Sequence, residues 1–256
     1  MPRLNDRGET ILLAGEPGPV VLVNGDGRSS CLLICEHASH LLPKALGTLG
    51  LPESDLQRHI AWDIGAEQVA RHLARLLDAP LVLQRYSRLA YDCNRPPDSA
   101  DAMPEISETT QIPGNRNLSP ADRLARTTEI YRPFHAAVAD LLDRRAAEGV
   151  GSLVVSIHSF TPVYKGKRRT VELGILHDRD TRLSDRLIRS FPGVDARLNE
   201  PYGPEDGVLH TLNLHAAPRH LQHAMIEIRN DLVATAPGQT EWAQLLAAPL
   251  MHAATT

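Results

Sequence analysis

Aromatic residues are scarce in this chain: phenylalanine, tryptophan and tyrosine together make up 4% of it, so aliphatic side chains must fill any core. Cysteine is scarcer still. Cys31, Cys35 and Cys93 are too few and too unevenly placed for a disulfide framework, which fits a reducing compartment. No stretch approaches the ~18 apolar residues of a membrane helix, and the opening MPRLNDRGETILLAG lacks the basic region and apolar run of an export signal. The expectation is a cytoplasmic protein with no membrane partner. Charge of one sign is also missing: the net charge is only -4 and the basic residues are scattered. That excludes an electrostatic footprint for nucleic acid and leaves a small molecule as the favoured partner. Nothing in the pattern specifies an oligomeric state.

What is present suffices for a real core. The chain has 256 residues, 42% of them hydrophobic, which fits one domain spanning residues 1–256 and argues against extensive disorder. The run CLLIC at Cys31–Cys35, preceded by the turn-like Asn24-Gly25-Asp26-Gly27, reads as a buried strand that ends at Glu36 and His37. From Leu56 to Leu77, apolar residues recur at helical spacing until Asp78 and Pro80 close the element. Leu81–Leu83 and Leu89–Tyr91 are short apolar runs, the second leading directly into Asp92, Asn94 and Arg95. Prolines and polar residues between Arg95 and Ser119 predict a long functional loop. A helix follows from Pro120 to about Ala147. Ser152–Ile157 then forms a β-branched strand that delivers His158 at its end. Val171–Leu176 and Ala224–Ile228 read as further strands, separated by a helix near Leu183–Ser190 and a loop around Asn199–Gly207. Strands alternating with helices predict an α/β sheet flanked by helices, and such sheets build sites at strand ends. EHASH, YDCNR, IHSF and IEIRND all fall at or in such strands.

Those residue types suggest one chemistry. Hydrolysing an amide near neutral pH needs an activated water and a polarised carbonyl, and a zinc ion supplies both through three protein ligands and one open position. His37 and His158 each follow a strand, and Asp63, read as lying on the first helix among Ile60, Trp62 and Ile64, is a carboxylate that would be costly to bury alone. Each residue also has an ordinary alternative: a structural hydrogen bond for either histidine, or a pairing of Asp63 with Arg58 or His59. His40 competes as a ligand. Glu227, within the apolar MIEIRND, is either paired with Arg229 or Arg168 or poised as a general base with a pKa raised by burial. Arg88, Asn94 and Arg95 could grip a substrate carboxylate, or fix loops through surface pairs. His210 and His215 are candidates for substrate contact. Cys31 and Cys35 read as core residues, and Cys93 lacks an adjacent base in sequence.

Taken together, CEHASHLLP, HIAWDIGA, YSRLAYDCNRP, IPGNR, IHSFTPV, NEPYG and IEIRNDL resemble the N-formylglutamate amidohydrolase family, in order, from His37 to Leu232. The resemblance implies a three-layer α/β/α architecture with a central mixed sheet, like that of zinc carboxypeptidases. It also implies release of formate from N-formyl-L-glutamate. Related zinc amidases use two histidines, a carboxylate and a separate glutamate base, roles that would fall here on His37, His158, Asp63 and Glu227, with one zinc ion. Asn94 and Arg95 would hold the substrate carboxylate, while Arg88 and His215 stay as the further substrate contacts read from the residues above. Related carboxypeptidases place their acidic ligand three residues after the first histidine, where this chain has His40. Other expected readings are hydrolysis of another N-acyl amino acid or peptide-like amide, and a non-catalytic protein that binds an acidic ligand on the same scaffold.

Overall fold

The structure, a computed structural model, describes residues 10–255; residues 1–9 of the segment read for an export signal lie outside them. Seven segments pair into one sheet: β1 (Val20–Val23), β2 (Cys31–Cys35), β3 (Leu81–Gln84), β4 (Leu153–Phe160), β5 (Leu173–Leu176), β6 (Ala196–Leu198) and β7 (His223–Arg229). Their order across the sheet is β1-β3-β2-β4-β7-β5-β6. The central strands β3, β2, β4 and β7 run parallel, while β1 and the β5–β6 pair run against them, so the sheet is mixed.

Alternation along the strands explains why both faces are covered. In β2, Cys31, Leu33 and Cys35 enter one core and Leu32 and Ile34 the other. The first core is closed by α1 (Ala66–Leu77), whose buried Ala66, Val69, Ala70, Leu73 and Leu77 make the apolar stripe of an amphipathic helix. Beyond α2 (Pro120–Arg126) and α3 (Arg132–Ala147), that same face receives α4 (Arg182–Leu187). After α5 (His210–His215) it also receives α6 (Ala236–Thr255), through Leu183, Trp242 and Leu246. The opposite core holds Phe134 and Val138 of α3 and Leu212 of α5. The result is three layers, α/β/α. Among the described residues no helix is long and apolar enough to cross a membrane.

Three expectations change, and three elements go unread. The predicted helix from Leu56 is interrupted: a short turn of helix at Glu53–Leu56 gives way to irregular chain, and α1 begins only after Gly65. Gly65 explains the break, since its φ is +80° and a Cβ there would lie 2.2 Å from the Val233 carbonyl oxygen. Asp63 therefore sits in the turn before the helix, not on it. Leu89–Tyr91 is not a strand. Ser87 ends its own extended approach by turning the chain, the Ala90 and Tyr91 amides donating to the Ser87 carbonyl. His158 is not at the end of its strand, because β4 runs on to Phe160. Finally, β1, β6 and α6 carry no reading in the sequence, although Trp242, Leu246, Leu250 and Ala253 repeat at helical spacing and bury in the core. The long helix from Pro120 is present, with a π-type widening at Thr127–Tyr131. Pro133 cannot donate its share of the ladder just beyond it.

Candidate metal centre

Ser156, His158 and Glu227 lie on the same face of the sheet, because they continue the alternation of Val154 on β4 and Met225 on β7. Glu227 pairs in register with His158. His37 follows β2 within two residues, and the Asp63 amide donates to the His37 carbonyl oxygen at 2.9 Å, fixing the turn that carries Asp63. The side chains of His37, Asp63, His158 and Glu227 are all buried. They border a cavity of about 270 Å³ at the carboxyl ends of the parallel strands, the usual location of sites in such sheets.

Within this cluster His37, Asp63 and His158 each offer a ligand atom, all lying within 4.8 Å of one another. Asp63 Oδ2 is 3.3 Å from His37 Nδ1 and 2.7 Å from His158 Nδ1. Each imidazole is held from behind by a different carboxylate. Asp92 Oδ1 is 2.7 Å from His37 Nε2, and Glu36 Oε2 is 3.0 Å from His158 Nε2. A carboxylate only accepts hydrogen bonds, so both Nε2 atoms donate, while both Nδ1 atoms converge on the same Asp63 oxygen. Three electron-rich atoms facing one point require a positive charge between them, either protons on the rings or a metal ion. Imidazole and carboxylate donors backed by second carboxylates suit zinc, so the donor set fits the ion that the sequence suggests.

The ionisation of the groups follows the same logic. Burial opposes the charged form of His158, yet Glu36 and Asp63 outweigh it and hold its pKa well above the usual imidazole range. Burial likewise opposes the charge on Asp63, and the two histidines outweigh it and pull its pKa down. Glu227 behaves differently. Burial pushes its pKa up to about 7 against the pull of His158, and its Oε2 has no hydrogen-bond partner. A buried carboxylate with a free oxygen beside the cluster is suited to accept and return a proton.

Around this centre, Arg88, Asn94 and Arg95 line the cavity, but on different terms. Arg88 is paired with carboxylates, its Nη2 donating to Asp92 Oδ2 at 2.6 Å and its Nη1 lying 3.6 Å from Asp63 Oδ1. The Asn94 side chain is engaged with the backbone, accepting from the Thr211 amide at 3.0 Å and donating to the Val208 carbonyl. Arg95 Nη1 donates to the Asn94 and Gly207 carbonyls, and no carboxylate pairs with it among the described residues. Tyr164 and Tyr202 form another wall. The Arg169 guanidinium packs 4.5 Å and 4.7 Å from their ring centres and donates to the Tyr202 hydroxyl at 2.9 Å. Two hairpins meet across the mouth, one pairing Ile106–Ser107 with Thr110–Gln111 and the other Val163–Tyr164 with Lys167–Arg168; there the Lys165 amide donates to Glu108 Oε1 at 3.0 Å while Arg58 and His59 approach Glu108 Oε2 at 3.3 Å.

The family model for N-formylglutamate amidohydrolase matches residues 29–234. The chain belongs to that family. A structure of a gene product from Agrobacterium tumefaciens is 49% identical to this member, with a TM-score of 0.93 over 96% of this chain and 98% of that one. The structure of an N-formylglutamate amidohydrolase from Ralstonia eutropha shares 18% identity and a TM-score of 0.74, covering 93% of this chain and 98% of that one, and so shares the fold. No curated protein sequence matches the chain.

This N-formylglutamate amidohydrolase family member departs from the sequence expectations at two residues. His215 does not line the cavity. The Cys93 carbonyl can only accept, so His135 donates to it through Nε2 at 2.9 Å and accepts through Nδ1 from His215 Nε2 at 2.8 Å. His215 is thereby a buried packing partner of His135, stacked at 5.1 Å between ring centres. His40 stands apart from the cluster, against Trp62 and Gln57, and is not a competing ligand. Sequence reasoning missed Glu36 and Asp92, although both sit in the quoted blocks next to assigned residues. It also gave no role to IPGNR. There, Asn115 donates to the Leu89 and Pro104 carbonyls and accepts from the buried Arg126 at 2.7 Å. Arg126 in turn donates to the Ala90 carbonyl. That network braces the YSRLAYDCNRP segment from behind.

Proposed function

We propose that this chain is a zinc-dependent amidohydrolase acting on the N-acyl amide of an acidic amino acid, converting N-formyl-L-glutamate and water to L-glutamate and formate. The observation that carries the reading is the convergence of His37 Nδ1, His158 Nδ1 and Asp63 Oδ2 beside a buried, incompletely bonded Glu227. His37, Asp63 and His158 would hold the ion. When bound, zinc supplies Lewis acidity, polarising the amide carbonyl and making water acidic enough to attack near neutral pH.

The remaining work falls to the chain's own side chains. Glu227 takes the proton from the attacking water as the carbon–oxygen bond forms, then delivers it to the amide nitrogen as the carbon–nitrogen bond breaks. Formate and the free amine of glutamate leave. Asp92 and Glu36 hold the two imidazoles. Arg95, free of any carboxylate among the described residues, is the cavity cation best placed to pair with a substrate carboxylate. Arg88 shares its charge with Asp92 and Asp63, so it contributes to substrate binding less directly. Asn94 fixes the loop that presents Arg95. The family description supports the formyl substrate.

Formate release from N-formyl-L-glutamate, measured before and after metal chelation and after zinc is restored, tests the reading. Turnover should disappear with the metal and return with it; turnover indifferent to chelation contradicts the proposal.

A further inference from the structure

The structure assigns Glu36, through Ser156, the task of keeping the His158 proton on Nε2, away from the ligand cluster. This rests on the zinc reading above and adds a residue that never meets the cavity. Glu36 is fully buried and does not border the cavity where His158 and Asp63 lie.

The assignment follows from hydrogen-bond direction. A carboxylate accepts and cannot donate. The Ser156 hydroxyl therefore spends its single proton on Glu36 Oε2, at 2.6 Å. Having donated, Ser156 Oγ can offer His158 only a lone pair, and it lies 2.8 Å from His158 Nε2. Glu36 Oε2 itself lies 3.0 Å from the same nitrogen. Two acceptors thus meet Nε2 and one, Asp63 Oδ2 at 2.7 Å, meets Nδ1, so once a cation takes up the Nδ1 side the single proton of a neutral ring belongs on Nε2. Without the carboxylate, the serine hydroxyl could rotate and donate to Nε2, which would favour the opposite tautomer and place a proton where the ligand lone pair is needed. Ser156 and His158 are two residues apart on β4, so they share a face, and Glu36 follows β2, the neighbouring strand. The backbone register thus holds the three groups together. Glu36 is a positioning residue: it acts through His158 and touches neither substrate nor metal.

Three variants test this: Glu36→Leu, Glu36→Gln and Ser156→Ala. The probe is zinc alone, with affinity measured by competition against a chromophoric chelator. His158 is followed in zinc-loaded protein by ¹H–¹⁵N spectra that detect its Nε2 proton. In the wild type that proton should be present and slow to exchange. Glu36→Leu should weaken zinc binding by about 10- to 100-fold and speed exchange of the proton. Glu36→Gln, whose carbonyl can still accept from Ser156, should recover most of the affinity. If Glu36→Leu does not fold, Ser156→Ala decides, with an expected loss of about two- to tenfold. A wild-type protein that binds no zinc at these residues would defeat the zinc reading itself. Wild-type binding that Glu36→Leu, or Ser156→Ala in its place, leaves within twofold, with the Nε2 proton unchanged, would overturn the assignment to Glu36 alone.

Discussion

Glu227 stands directly opposite His158 in the parallel register of β4 and β7. Neighbouring parallel strands lie about 4.8 Å apart, so the backbone alone keeps the proposed base beside a proposed ligand. Neither side chain depends on a loop for its position. Glu227→Gln should therefore lower kcat by about 10²- to 10⁴-fold while zinc content stays at the wild-type level. Loss of metal together with activity would mean that Glu227 acts as a ligand instead.

The same residue should leave a signature in stability. The pKa of Glu227 rises on folding from 4.5 to about 7 because it is buried. A carboxyl group whose folded pKa lies above its unfolded value favours the protonated folded state, so this stability is present at low pH and is lost as pH climbs from about 4.5 through about 7. Metal-free Glu227→Gln should escape that loss. Its advantage over metal-free wild type should be small at pH 4.5 and approach about 3 kcal/mol above pH 7. Thermal unfolding of both proteins at pH 4.5 and pH 8 checks the sign, and an equal difference at the two values would contradict it.

Arg95→Ala should raise KM for N-formyl-L-glutamate by about 10- to 100-fold, the range for losing a charge-assisted pairing, with a smaller change in kcat. Steady-state kinetics would separate this from a general loss of fold, and an unchanged KM would remove Arg95 from the carboxylate-binding role.

Gly174 on β5 lies in register with Glu227, and a Cβ at that position would come within 2.2 Å of the Glu200 carbonyl oxygen and 3.2 Å of Glu227 Cβ. The NEPYG segment can approach the strand only because nothing projects there. Gly174→Ala should cost about 1–3 kcal/mol, measurable as a lower Tm, and should depress activity through displacement of Glu227 or Tyr202. A variant with wild-type Tm and kcat would mean that the loop has room to move aside.

The sequence makes the strand-borne part of the site legible and hides the part carried by turns. CLLIC, the run before His158 and the run around Glu227 are apolar because both faces of those strands are covered, so short runs with embedded polar residues mark the site. Asp63 was identified by its apolar neighbours, but its placement on a helix failed, since periodicity cannot register a single left-handed glycine such as Gly65. The polar end of YDCNR is close to the cavity without any strand before it, held instead by Asn115 and Arg126 from distant parts of the chain. Glu36 and Asp92 were passed over because a supporting carboxylate is recognisable only once the nitrogen it holds is located. His215 shows the opposite case: a histidine satisfied by another histidine looks, in sequence, like any free one.

The most direct measurement is anomalous scattering at the zinc edge from crystals of the zinc-loaded protein. The account predicts one strong peak about 2.0–2.2 Å from His37 Nδ1, His158 Nδ1 and an Asp63 carboxylate oxygen. A peak bound elsewhere, or histidines that coordinate through Nε2, would contradict it.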